Sequence, residues 1–170
     1  MIQRFIYETL NPDIYHGFKK KPPYFEGWYF KVLSADEQTR YAIIPGIFKG
    51  QDGQANESFV QVLDGMTGAA TYHSYPVEAF RAHEERFDVW VGDNHFRRDC
   101  LSLNIADEQL TINGELRFGP GEGWPVRLLE PGVMGWFGWL PFMECYHGIV
   151  SFDHTVDGAL TVNGERKVFD

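Results

Sequence analysis

At 170 residues the chain is long enough for one domain with an apolar core that needs no covalent staples. Aromatic residues make up 16% of it, and its 18 glycines and 9 prolines suit many short strands joined by tight turns better than a helical bundle. A formal net charge of −9 without a long basic face sets nucleic acid and anionic membrane surfaces aside as partners.

Residues Met1–Pro23 read as a tethered arm. Asn11-Pro12-Asp13 favours a turn, and Lys19-Lys20-Lys21 ahead of Pro22-Pro23 resists helix and sheet alike; the lysine run reads as solvated. The first strong strand signal is Tyr24–Leu33. Alternation puts Tyr24, Glu26, Trp28 and Phe30 on one face and Phe25, Gly27, Tyr29 and Lys31 on the other, so both faces are expected to be covered. Glu26 shares its face with Trp28, and burial in that company would raise a carboxyl pKa. Tyr41–Phe48 follows as a strand, with Pro45-Gly46 marking a bend or bulge. Ser58–Asp64 and Ala70–Tyr75 flank Gly65-Met66-Thr67-Gly68, a hairpin connection. Val77–Glu85 is ambiguous and admits a short helix.

Three segments then alternate with period two: Arg86–Val91, Cys100–Ile105 and Leu110–Phe118. Their inward sets are Phe87, Val89 and Val91, then Leu101, Leu103 and Ile105, then Leu110, Ile112, Leu116 and Phe118. Short turns join them, which predicts an antiparallel meander. Gly119–Pro131 reads as a loop, Met143–Asp153 as a further strand, and Ala159–Val162 and Arg166–Phe169 as a hairpin about Asn163-Gly164. The expected fold is all-β, a meander closing into a lipocalin-like (calycin-type) barrel over residues 24–170, because closure removes edge strands and leaves a lumen. A two-sheet sandwich is the alternative.

No segment is long and apolar enough for a signal peptide or a bilayer span, so stable membrane insertion is not expected. Cys100 and Cys145 are the only cysteines and imply no disulfide framework, which points to a reduced, cytoplasmic setting. No phosphate-binding loop, dinucleotide fingerprint or nucleophile elbow is present, and no cofactor is expected. Cys145 and His147 share a strand face while Glu144 and His154 fall on the other, without a third ligand spaced to join either pair; no metal site is expected. His16, His73, His83 and His95 show no mutual pattern and read as exposed or satisfied.

The chemistry concentrates in two places. Glu130–Ser151 carries Trp136, Phe137, Trp139 and Phe142 into Glu144, Tyr146 and His147, the composition of an apolar cavity with a few placed polar groups. Trp28 and Tyr29 flank Glu26 in the same way. A carboxylic acid among aromatics can stay protonated near neutrality and act as a general acid, and aromatic faces stabilise a nearby cation. Glu144, Glu26 and His147 are the candidate acid–base groups. Trp28, Tyr29, Trp136, Phe137, Trp139, Phe142 and Tyr146 are the candidate ligand-binding set. The same composition also fits an inert lipid pocket.

Phe25-Glu26-Gly27-Trp28-Tyr29-Phe30, preceded by Tyr15-His16-Gly17, and Leu140-Pro141-Phe142-Met143-Glu144-Cys145-Tyr146-His147-Gly148 resemble the tocopherol cyclase-like family, and its bacterial members in particular. The resemblance implies two lipocalin-like halves, of which this chain covers the first. It also implies an apolar isoprenoid or prenyl-quinol ligand, cyclised or hydrated at a double bond without a cofactor. A partner on this reading is the second half or another copy of the chain. A non-enzymatic carrier of an apolar ligand and a structural half-domain are the alternatives.

Overall fold

A computed structural model describes residues 2–51, 56–143 and 145–170. Its strands fall into two antiparallel sheets. In the smaller sheet, β1 (Tyr24–Gly27) and β2 (Phe30–Leu33) lie in succession along one side of β3 (Arg40–Lys49), which continues to β4 (Asn56–Asp64) and β5 (Ala70–Pro76). The larger sheet is a seven-strand meander, β6 (Phe80–Ala82), β7 (Asp88–Val91), β8 (Asn94–Arg97), β9 (Cys100–Ala106), β10 (Thr111–Phe118), β11 (Val156–Val162) and β12 (Glu165–Phe169), each strand beside its sequence neighbour.

The alternation expected of β7, β9 and β10 is the observed burial pattern. Val89 and Val91, Leu101, Leu103 and Ile105, and Ile112 and Leu116 are buried, and on β9 and β10 the polar residues between them turn outward. The inward faces of the two sheets share one buried cluster. Val32, Ile43, Ile47, Val60 and Val62 come from the smaller sheet, and Phe96, Leu101, Ile112, Leu160 and Phe169 are among those from the larger. Asn163 (φ 48°) and Gly164 (φ 83°) form the two-residue turn between β11 and β12, the left-handed pair that a tight hairpin requires.

The expected barrel closure is not present. Neither sheet is closed, and no ladder among the described residues joins one sheet to the other. At β5 the chain meets Pro76, which has no N–H to donate, and a 3-10 turn at Val77–Ala79 carries it across to β6. Polar side chains bridge the seam instead. Buried His73 on β5 pairs through Nδ1 with Asp107 at 2.5 Å, and Asn94 donates to the Tyr75 hydroxyl at 3.1 Å while accepting the Asn104 N–H at 2.8 Å.

Three further expectations are corrected. The arm begins with a helix, α1 (Ile2–Leu10), in which Arg4 pairs with Glu8 one turn on at 2.7 Å; it ends at the turn containing Pro12. The single strand Tyr24–Leu33 divides at Trp28-Tyr29, although the Trp28 N–H still donates to the Pro45 carbonyl at 3.0 Å. The strand expected at Met143–Asp153 does not form over the described residues. That segment makes one isolated bridge, Glu122 with Phe152, since its neighbour at residues 119–131 is interrupted by Pro120, Pro125 and three glycines. Before it, Gly132–Trp139 forms 3-10 turns kinked at Gly135. No helix among the described residues is long and apolar enough to cross a membrane.

The inter-sheet cluster should carry most of the stability. Phe96→Ala, at a fully buried site, is expected to destabilise by about 3–5 kcal/mol in urea unfolding. Val168→Ala, on half-exposed β12, should fall within about 0.5 kcal/mol of the parent.

Candidate functional site

The two halves of the first motif string meet in space. Glu26 on β1 points to the inward side, with Tyr24 and Trp28, and its carboxylate receives three donors from two residues, His16 and Tyr24. The ring of His16 lies with Nδ1 2.7 Å from Oε1, the His16 backbone N–H donates to Oε2 at 2.9 Å, and the Tyr24 hydroxyl donates to Oε2 at 2.5 Å. The other ring nitrogen of His16 faces the Glu8 carbonyl oxygen at 3.2 Å. A carbonyl can only accept, so Nε2 carries a proton there. With a carboxylate at Nδ1, the doubly protonated ring satisfies both contacts.

Titration follows from this geometry. Burial works to lower the His16 pKa, but the hydrogen bond and charge of Glu26, with the Glu8 carbonyl and carboxylate behind them, outweigh it and raise the value. Burial, then the Glu26 charge, pushes the Tyr15 phenol up to about 12. Tyr24 is raised further, by burial first and then by the charge and hydrogen bond of Glu26. Both phenols therefore stay protonated at neutral pH, and that of Tyr24 donates to Glu26.

The surroundings are aromatic and fixed. Tyr15 packs against Phe18, Phe80 and Trp28, and Trp28, 8% exposed, also stacks near Phe80 and Phe87. The Trp28 indole N–H donates to the Asp13 carbonyl at 3.0 Å. Lys49 donates to the Gly17 carbonyl at 2.9 Å and sits 5.8 and 5.6 Å from the Tyr15 and Tyr24 ring centres. Residues 13–19 are thus held across the end of the smaller sheet, and that strap carries His16 to Glu26.

The other sequence candidates lie elsewhere. Glu144 falls outside the described residues. Tyr29, next to Trp28, is exposed on the opposite face. Trp136 and Phe137 stack on one another at 4.2 Å and are exposed, as is Phe142. The Trp139 ring meets Phe5 of α1 at 6.0 Å edge-on, and its indole N–H donates to the Leu128 carbonyl at 2.8 Å. The Tyr146 hydroxyl donates to the Leu140 carbonyl. His147 is exposed, its backbone N–H directed at the Met134 sulfur at 3.4 Å. Of the candidates, Glu26 and Trp28 share one environment; the ring contacts of Trp136 and Trp139 lie with Phe137 and Phe5.

The spacing of charges and aromatics gave no sign of His16, Tyr15, Tyr24 and Lys49 as site residues. The signal lay in the strings themselves: Tyr15-His16-Gly17 and Phe25-Glu26-Gly27-Trp28 stand out together in the sequence, and the two are hydrogen-bonded. Among the described residues no group of three or more His, Cys, Asp or Glu side chains is placed to hold a metal ion, and both cysteines are free thiols. A polar cleft of about 400 Å³ opens where Asn11–Ile14 meets the larger sheet. Its arginines are engaged, Arg86 with Asp88, Arg97 with Asp99 and Arg98 with the Val150 carbonyl. Comparison of the chain with known protein families, curated proteins and solved structures finds no match.

The raised His16 pKa ties folding to pH. A group held above its unfolded value of 6.5 contributes its full stabilisation below that pH and loses it as pH rises through the folded value. Urea midpoints measured from about pH 5 to 9 should therefore show the parent's advantage over His16→Gln largest at the acid end and shrinking above about pH 6.5.

Proposed function

We propose that the protein binds an isoprenoid or prenylated quinol beside the His16–Glu26–Tyr24 cluster, and that this cluster moves the proton in a cofactor-free cyclisation or hydration of the ligand's double bond. The observation that carries the reading is the Glu26 carboxylate, set among aromatic rings and joined at 2.5–2.7 Å to an imidazole and a phenol. The resemblance of the two motif strings to the tocopherol cyclase-like family supplies the substrate class.

In a cyclisation the His16–Glu26 couple gives a proton to one alkene carbon, leaving the cation on the more substituted carbon. The ligand's phenol oxygen bonds to that carbon, and its proton returns to the couple, so the reaction is an isomerisation with no net proton change. In a hydration, water replaces the phenol. Aromatic faces such as those of Tyr15 and Trp28 would stabilise the cation by about 0.5–2 kcal/mol each, while Tyr24 keeps the carboxylate oriented. Two unpaired thiols favour a cytoplasmic location on this reading, and a second half or a second copy of the chain is the proposed partner.

One observation favours a second reading, a carrier in which the cluster is structural. The bonds that build the cluster also pin residues 13–19, through Glu26 to His16, Trp28 to Asp13 and Lys49 to Gly17. Glu26→Gln separates the two, because it keeps size and one accepting oxygen but removes the charge that holds the His16 proton. Turnover of a prenylated quinol is expected to fall by about 10² to 10⁴, with binding, followed by quenching of tryptophan emission, retained. Turnover equal to the parent's in a variant that still binds would leave the carrier reading standing.

A further inference from the structure

The outward face of the smaller sheet, turned away from the His16–Glu26 cluster, carries an open groove of about 490 Å³. Strand alternation directs Phe25 from β1, Ile44 and Phe48 from β3, Glu57 and Phe59 from β4, and Tyr72 from β5 to this side. Its floor depends on glycine. Gly46 stands opposite Phe59 in the ladder, and a Cβ there would lie 2.3 Å from the Phe59 ring carbon Cζ. Only glycine lets that ring lie down on the sheet. Phe59 is 4% exposed although it faces outward, because Phe25 flanks it at 6.0 Å and Tyr72 at 5.1 Å, in near-parallel planes. Phe25 and Tyr72 are themselves 63% and 41% exposed. Three aligned rings thus span the sheet, and the outer two meet solvent.

Glu57 borders this surface. Its Oε1 accepts the Tyr72 hydroxyl at 2.9 Å and its Oε2 the Ser74 hydroxyl at 2.5 Å. Both donors are neutral, and no lysine or arginine nitrogen among the described residues lies within 4.0 Å of the carboxylate. Lys49, the lysine on the adjoining strand, is turned through the sheet to the Gly17 carbonyl. The carboxylate is therefore aimed by two neutral donors and has no ion pair among the described residues, and it sits beside exposed aromatic carbon. A hard metal ion would want several oxygen ligands, and a neutral sugar would make no use of the charge. An organic ammonium group matches both features: its alkyl substituents pack on the rings, the ring quadrupole attracts its charge, and the carboxylate balances it.

We propose that this groove is a binding site for a small organic cation of the methylated-ammonium class, with Glu57 as its counter-charge and Phe25 and Tyr72 as the exposed aromatic surface it packs on. The proposal is independent of the function assigned to the opposite face. Choline is the probe, titrated into the full chain and followed by amide NMR, beside its neutral isostere 3,3-dimethylbutan-1-ol. Choline is expected to give saturable shifts confined to β1, β3, β4 and β5. The alcohol should bind at least about tenfold more weakly, and Glu57→Gln should weaken choline by a similar factor, the scale of one lost charge-assisted contact. Phe25→Ala, at an exposed position, should weaken choline in a chain that stays folded, and it decides the matter if Glu57→Gln does not fold. No saturable shift, equal binding of choline and the alcohol, unchanged affinity in either variant, or a neutral sugar shifting the same amides as strongly would each overturn the proposal.

Discussion

The structure depends on one apolar cluster buried between two sheets that exchange no backbone hydrogen bonds among the described residues. Each sheet has one face that water cannot solvate favourably, and each supplies the other's cover. Strand pairing fixes the order within a sheet. Side-chain burial sets one sheet upon the other, chiefly through large residues such as Phe96 and Phe169, which are almost wholly removed from solvent.

That arrangement explains where the polar groups sit. An open two-sheet structure leaves a seam that a barrel would close with a ladder. Here the seam is closed by side chains: His73 with Asp107, and Asn94 between Tyr75 and the Asn104 amide. Such groups are stable when buried only because each finds a partner. The Asp107 carboxyl is held below the usual range chiefly by its bond to His73, as expected of a carboxylate that accepts from a histidine ring.

The same logic builds the candidate site at the end of the smaller sheet. Residues 13–19 add no strand, so their attachment rests on side chains reaching out from β1, β3 and the residue after β1. Glu26 does this through a charge, which has two consequences. The bond to the His16 amide is structural. The bond to the His16 ring places a proton between two groups that can exchange it, while the Tyr24 hydroxyl remains a donor. Attachment and acid–base capacity are properties of one carboxylate, so their separation needs a substitution that alters charge and keeps shape.

Where neighbours in space are neighbours in sequence, the chain alone determined the outcome. Leu101, Leu103 and Ile105 had to share a face, because a strand alternates, and Asn163-Gly164 had to turn, because that pair tolerates positive φ. The motif strings around His16 and Glu26 were likewise legible as strings. Tertiary structure decided whether the meander closed, and it left two open sheets because Pro76 and the turn after it redirect the chain between β5 and β6. It also decided that the described residues of Met143–Asp153 would lie against a proline- and glycine-broken loop with one isolated bridge, so a strand-like pattern found no ladder among them. The pairing of His16 with Glu26, ten residues apart, depends on a strap crossing the sheet end. No local periodicity encodes such a crossing, since it arises from the burial of Tyr15 and Trp28 in a cluster assembled from both sheets.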